Sequence, residues 1–210
     1  MTHDLTSRAI RTATAMLIAA HGLVPVPLRA APGPSTFRIE EATIASIQSA
    51  ILKGELTSTQ VVELYLKRIK AYDGPCVTQL DGVLGPFTTI PHAGQINSLI
   101  TVNLRPAARA ALGLGPRKAR SLTDPVDDDP GMPDALEVAA RQDAHFKTTG
   151  TLVGPLHGIT FAIKDWYDTR DMRTTAGADA AYANDRPPRD ATFITRLRAA
   201  GAIILAKANV

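Results

Sequence analysis

Cysteine is nearly absent: Cys76 is the single one among 210 residues. A lone thiol cannot close an internal disulfide, so the fold must be held by packing and polar pairing. Nothing near Cys76 would lower its pKa toward nucleophilic use. No apolar run approaches the roughly 20 residues of a membrane-spanning helix. Charge of one sign is also missing. The net charge is +3, and the basic residues are scattered, which argues against a nucleic-acid surface. Seven Lys and Arg residues fall from Lys164 to Arg198, always interrupted by acids or apolar residues, the pattern of a solvated face. His92 and His145 have no partners at ligand spacing, so no metal site is expected. No glycine-rich phosphate loop follows "ITFAI", which counts against a nucleotide-binding domain. No internal repeat is present.

What remains is an ordinary globular balance, 45% hydrophobic and 20% charged. Residues 1–36 read as a leader. Arg8 and Arg11 precede a weakly apolar stretch, which fits a secretory signal cut near Ala30. His21, Asp4 and the Leu28–Arg29 pair fit an unstructured leader instead, and the compartment stays open between cytoplasmic and secreted. From Phe37 the pattern tightens. "EEATIASIQSAILKG" predicts a helix capped by Thr43, with Ile44, Ile47 and Ile51 at helical spacing and Gly54 at its end. In "LTSTQVVELYLKRIKAYDG", Thr57 and Gln60 have capping-box spacing. Val61, Tyr65, Ile69 and Tyr72 line one face of that helix, with Val62 and Leu66 beside them.

Prolines break up residues 73–134. "NSLITVN" has strand character. Asp127, Asp128 and Asp129 lack the alternating ligands and closing Glu of a calcium loop, so a solvated turn is expected. "ALEVAARQDAHFKTTG" predicts a helix. "ITFAI" suits a strand buried on both faces. Asp190 is expected to cap a helix over 191–200, with Phe193, Ile194 and Leu197 inward, before Gly201 stops it. "AIILA" is a second apolar strand. Strand, helix and strand make a βαβ unit with parallel strands.

Lys164 stands at the C-terminal end of the first of these strands, where parallel sheets place their clefts. Burying an ammonium costs several kcal/mol unless it is paired. One reading has Lys164 snorkel or pair with Asp165 or Asp168. The other makes it a desolvated general base for a hydroxyl nucleophile.

"GPLHGITFAIKDWYDT", then "TTAG", then "RPPRDATFITRLRAAGAIILAKAN" resembles the amidase signature family of serine hydrolases. "ELTSTQVVELYLKRIKAYD" is similar to that family's N-terminal helix. The resemblance covers about residues 37–72 and 135–210, which leaves about 73–134 as an insertion in an N-terminal amidase portion spanning 37–210. It implies an α/β fold, a mixed sheet flanked by helices that is incomplete here, and carboxamide hydrolysis through a Ser–cis-Ser–Lys triad. Lys164 falls on the triad lysine. No metal or organic cofactor is implied, and the partner implied for a complete protein is a small-molecule amide substrate. Asp165 and Asp190 are read as structural support. Thr174, Thr175 and Gly177 either line and brace the cleft or form a purely structural turn. His157 is read as a packing or hydrogen-bonding residue. The sequence departs from the family pattern at Thr160, Trp166, Ala206 and Val210, none of which removes the lysine.

No serine follows Lys164; the seven serines end at Ser121, and the resemblance places both triad serines downstream of the lysine. The chain is therefore expected to be a truncated N-terminal portion, or else a catalytically inert product with a binding role or a fragment of an amidotransferase component. The 210 residues alone are expected not to hydrolyse amides. An ammonia-release assay on the purified chain checks this, and Lys164-dependent turnover would overturn it.

Overall fold

The computed structural model describes residues 37–74, 77–78, 86, 88–91, 96–177 and 185–210. The leader reading of 1–36, Cys76 and His92 lie outside them.

Helix α1 (Ile44–Lys53) starts where Thr43 accepts from the Ser46 amide and ends at Gly54, φ 73°. Helix α2 (Ser58–Tyr72) starts at the expected Thr57–Gln60 capping box. Its first turn is also satisfied from outside. The Asp143 carboxylate accepts from the Ser58 amide at 2.6 Å and the Thr59 amide at 3.0 Å, which places an anion on the positive end of the helix dipole. Asp143 belongs to helix α4 (Ala135–Thr149), itself closed by an Asp134–Glu137 capping box and Gly150. The Thr43, Gly54 and Thr57–Gln60 signals are local and form as expected, whereas Asp143 acts from more than 80 residues away. Tyr72 departs from the predicted face. It is exposed, and Arg68 stands 5.5 Å from its ring centroid, a cation–π contact that favours a surface position.

The main sheet has three strands in the order β3-β5-β4, where β1 (Val77–Thr78) and β2 (Thr88–Thr89) form a separate antiparallel pair. Strand β3 (Leu99–Val102) is antiparallel to β5 (Ile203–Ala208), and β4 (Thr160–Lys164) is parallel to it. The sheet is thus mixed and helix-flanked, and β3 comes from within the segment read as an insertion. The described chain also contains α3 (Pro106–Ala111) and α5 (Thr192–Ala199).

Strand β5 is central, and all of Ile203–Ala206 is buried. Ile203, Leu205 and Ala206 pack on Val62 and Leu66 of α2 and Ala139 of α4. Ile204 packs on Ile163, Met172 and Ile194. Strand β4 corrects the expectation of burial on both faces. It lies at the sheet edge among the described residues. Ala162 and Lys164 are exposed, and Ile163 is buried. A short, mostly apolar run does not distinguish an edge from a centre; neighbours do.

Three further expectations give way. Asp190 does not cap α5, whose N-cap position is Ala191 with no side-chain bond. Its carboxylate accepts from the Arg170 amide at 2.8 Å and pairs with Arg198 Nε at 3.1 Å. Phe193 points outward and meets the Tyr167 ring at 5.5 Å. Asp127 is also no solvated turn residue. It is 3% exposed and lies against Arg120, Arg186 and Arg105. Arg120 is completely buried. It binds both Asp127 oxygens, the Asn103 side chain and the Met132 carbonyl. The guanidinium draws the carboxylate in, because its buried donors need acceptors.

The lead-in "GPLHG" is held by close approach. Gly158 has φ 74°, and a Cβ there would sit 2.4 Å from Ile51 Cδ1. Replacing Gly158 with Ala should cost roughly 2–3 kcal/mol from left-handed strain and overpacking, read as a lower urea midpoint. Asp127→Ala should cost at least about 3 kcal/mol by stranding a buried guanidinium, whereas Asp128→Ala, at an exposed position, should leave the midpoint within about 0.5 kcal/mol.

Candidate active site

The candidate residues other than Asp190 gather at the carboxyl ends of β4 and β5. Lys164 is the last residue of β4, in register with Ala208 of β5. Its side chain is exposed, and Nζ donates to the Asn209 carbonyl at 2.9 Å. Among the described residues it does not pair with Asp165, which meets Lys207 instead, and it is not the desolvated lysine that a base role invites. Asn209 is fixed in turn. Its amide donates to the Ser98 carbonyl at 2.7 Å, and its side chain to the Asn97 carbonyl at 3.0 Å. The carbonyl that receives Lys164 is therefore anchored on the β3 side of the sheet.

Asp165 is completely buried. Neighbours on a strand face opposite ways, so Asp165 turns inward as Lys164 turns out. Asp165 Oδ2 accepts from the Thr175 amide at 3.1 Å and from the Thr175 hydroxyl. Its backbone carbonyl accepts from Ala176 N at 3.2 Å. Thr175 is thus buried and spent on the loop itself, and its Oγ1 also accepts from the Gly177 amide at 3.2 Å. Gly177 is exposed with φ 85°, and a Cβ there would meet Val210 Cγ2 at 2.5 Å. The 173–177 loop therefore folds against the chain just past β5. Asp165, Thr174, Thr175 and Gly177 form one assembly with the strand ends. Asp190 stands apart from it with Arg198. A depression of about 560 Å³ beside α5 is lined by Asp168, Arg189, Asp190, Thr192, Thr195 and Arg196, with neither Lys164 nor the loop residues.

One residue of the site escaped the sequence reading. Lys207, inside the apolar run of β5, is completely buried. Its ammonium lies 3.2 Å from Asp165 Oδ1, 3.0 Å from Thr174 Oγ1 and 3.3 Å from the Arg173 carbonyl. Burial pulls its pKa below the usual lysine range, against the pull of Asp165. The signal was present: a lysine within "AIILAKAN" must find an anion, by the same cost of burying charge that drew attention to Lys164.

His157, within the lead-in, is completely buried against α2. Nδ1 accepts from the Val153 amide at 3.1 Å, so Nε2 carries the proton toward Ser58 Oγ at 3.2 Å. It touches no residue of the lysine assembly. Among the described residues no group of three His, Cys, Asp or Glu could hold a metal, and no helix is long and apolar enough to cross a membrane.

A parallel strand pair ending in an outward lysine, beside a loop tied to the strand ends, defines an α/β protein. Residues 131–210 match the family model named Amidase. A putative amidase of Schizosaccharomyces pombe is 26% identical over 179 residues, covering 85% of this chain and 22% of its own length. A glutamyl-tRNA(Gln) amidotransferase component of Chloroflexus aurantiacus is 30% identical over 171 residues, covering 81% of this chain and 25% of its own. The solved peptide amidase of Stenotrophomonas maltophilia superposes with a TM-score of 0.51 at 30% identity, again over 81% of this chain and 25% of that one. Over residues 131–210 the chain matches the amidase signature family. It spans a quarter or less of the length of the curated relatives it matches.

Burial pulls the His157 pKa below its ordinary value of 6.5, with Asp143 opposing and His145 adding to the fall. The sign follows: the unfolded chain binds the proton first. The contribution of the neutral ring to stability is therefore complete above about pH 6.5 and is lost as pH falls from there through the folded pKa. Urea midpoints measured from pH 8 to 5 should fall below about pH 6.5, and His157→Gln should flatten that limb. An unchanged slope would contradict the assignment.

Proposed function

We propose that Lys164 is the general base of a carboxamide hydrolase that works through a Ser–cis-Ser–Lys relay. The observation that supports it most is its placement. The lysine ends a parallel strand, exposed, with its amine held by a main-chain carbonyl. Among the described residues no carboxylate pairs with it, and such a partner would keep it protonated. Likeness to a peptide amidase at 30% identity supports the reaction class.

In this reading a serine oxygen attacks the amide carbon while its proton passes to the bridging serine, whose own proton passes to Lys164 Nζ. The tetrahedral oxyanion is held by backbone N–H groups of a glycine–serine loop. The C–N bond then breaks, and the relay returns a proton to the leaving nitrogen, so ammonia or an amine departs. Water attacks the acyl-enzyme, gives its proton to the same relay, and the carboxylic acid leaves. No metal or cofactor takes part. The resemblance to an amidotransferase component favours one other reading, in which the same hydrolysis supplies ammonia to an acceptor site. A simple peptide amide and free glutamine, offered separately, discriminate the two.

In the complete protein, Lys164→Ala should lower kcat/KM for the hydrolysed carboxamide by about 10³-fold or more. Lys164→Arg should not restore it, because a guanidinium stays protonated. Activity of Lys164→Ala within tenfold of the parent would sink the proposal.

A further inference from the structure

Lys207 has no task in the serine–lysine relay, yet the fold gives it an unusual place. It lies in the central strand, in register with Ile163, the residue before Lys164. Three acceptors surround its ammonium: Asp165, Thr174 and the Arg173 carbonyl. Asp165 spends its other oxygen on Thr175. Both charges are completely buried. Such a pair is rarely favourable against an apolar one of equal volume, and its attested use is to select one arrangement over others. Here the arrangement selected is specific. Lys207 fixes 173–174 from β5, while Asp165 fixes 175–176 from the end of β4. Two residues on, the same strand end supplies the Asn209 carbonyl that receives Lys164.

We propose that Lys207 and Asp165 are a positioning pair, a buried clamp that holds the 173–177 loop and the carboxyl end of β5 in the geometry that aims the Lys164 amine into the cleft. The inference rests on the reading of Lys164 as general base. The pair acts through other groups and touches no reacting atom. A purely structural ion pair would contribute stability alone. A positioning pair also controls the rate, since a displacement of about 1 Å at a reacting group costs about 100-fold.

The experiment uses the complete protein, with kinetics on a simple peptide amide, thermal unfolding, and hydrogen exchange of the 173–177 amides. Lys207→Met should lower kcat about 100-fold with KM within about threefold. Exchange at 173–177 should quicken at least about tenfold. Asp165→Asn/Lys207→Met removes both charges; it should regain most of the melting temperature lost in Lys207→Met without regaining kcat. Full kcat in Lys207→Met, or kcat returning together with melting temperature in the double variant, would overturn the proposal. Should Lys207→Met fail to fold, Thr174→Val and Thr175→Val loosen one side of the clamp each and carry the same expectations. The two readings separate cleanly. Lys164→Ala with full activity removes the base, and the clamp is then judged by exchange alone, where unchanged protection at 173–177 refutes it.

Discussion

An ammonium inside a sheet has to have an anion, and at the end of β5 that requirement organises the surroundings. Lys207 sits in the buried central strand of the sheet, so water cannot solvate it. The anion it meets is Asp165, which is available because the strand alternation that turns Lys164 outward turns Asp165 inward. Asp165 in turn needs donors for its remaining lone pairs, and the loop "RTTAG" supplies them. The result is a chain of obligations. A buried cation demands a carboxylate, the carboxylate demands a loop, and the loop closes against the residues that follow β5. Remove the first member and the others lose their reason to be where they are.

The same logic recurs nearby with Arg120, whose main chain meets the same loop at Arg173. Arg120 is buried without solvent, and Asp127 comes in to meet it, followed by Arg186 and Arg105. Asn103, at the end of β3, accepts from Arg120 and donates to Asp171 at 3.2 Å. Asp171 pairs with Arg198 at 2.7 Å, and Arg198 with Asp190. Loops rich in proline and poor in apolar residues are thereby tied to β3 and α5. With a single cysteine in the chain, buried ion pairs serve where a secreted miniature domain would use disulfides. They trade net stability for a defined arrangement.

This division explains what could be read from the sequence. Caps were legible because they are local: Thr43, Thr57 with Gln60, and Gly54 each act within three or four residues. The parallel βαβ unit was legible from its punctuation. The family was legible from motif order. What failed depended on partners distant in sequence. Asp190 had the chemistry of a cap, but Arg170 and Arg198 compete for its carboxylate. Asp127 looked solvated because the arginines that bury it lie up to 59 residues away. "ITFAI" looked central because hydropathy does not reveal which strand is flanked. Lys207 was overlooked although its position inside an apolar strand carried the signal.

The two lysines of the sheet divide one difficulty between them. A base near a cleft must keep its amine accessible, and an accessible amine on a flexible four-carbon stem is poorly aimed. Burying it would aim it but would demand a counter-ion, and a carboxylate partner would hold its proton. The structure places the counter-ion one residue along the chain, on the opposite face, and gives it a different lysine. Asp165 is thereby committed to Lys207 and Thr175, and Lys164 is left with a neutral carbonyl. Alternation along one strand thus separates the charge that builds the site from the amine at its edge.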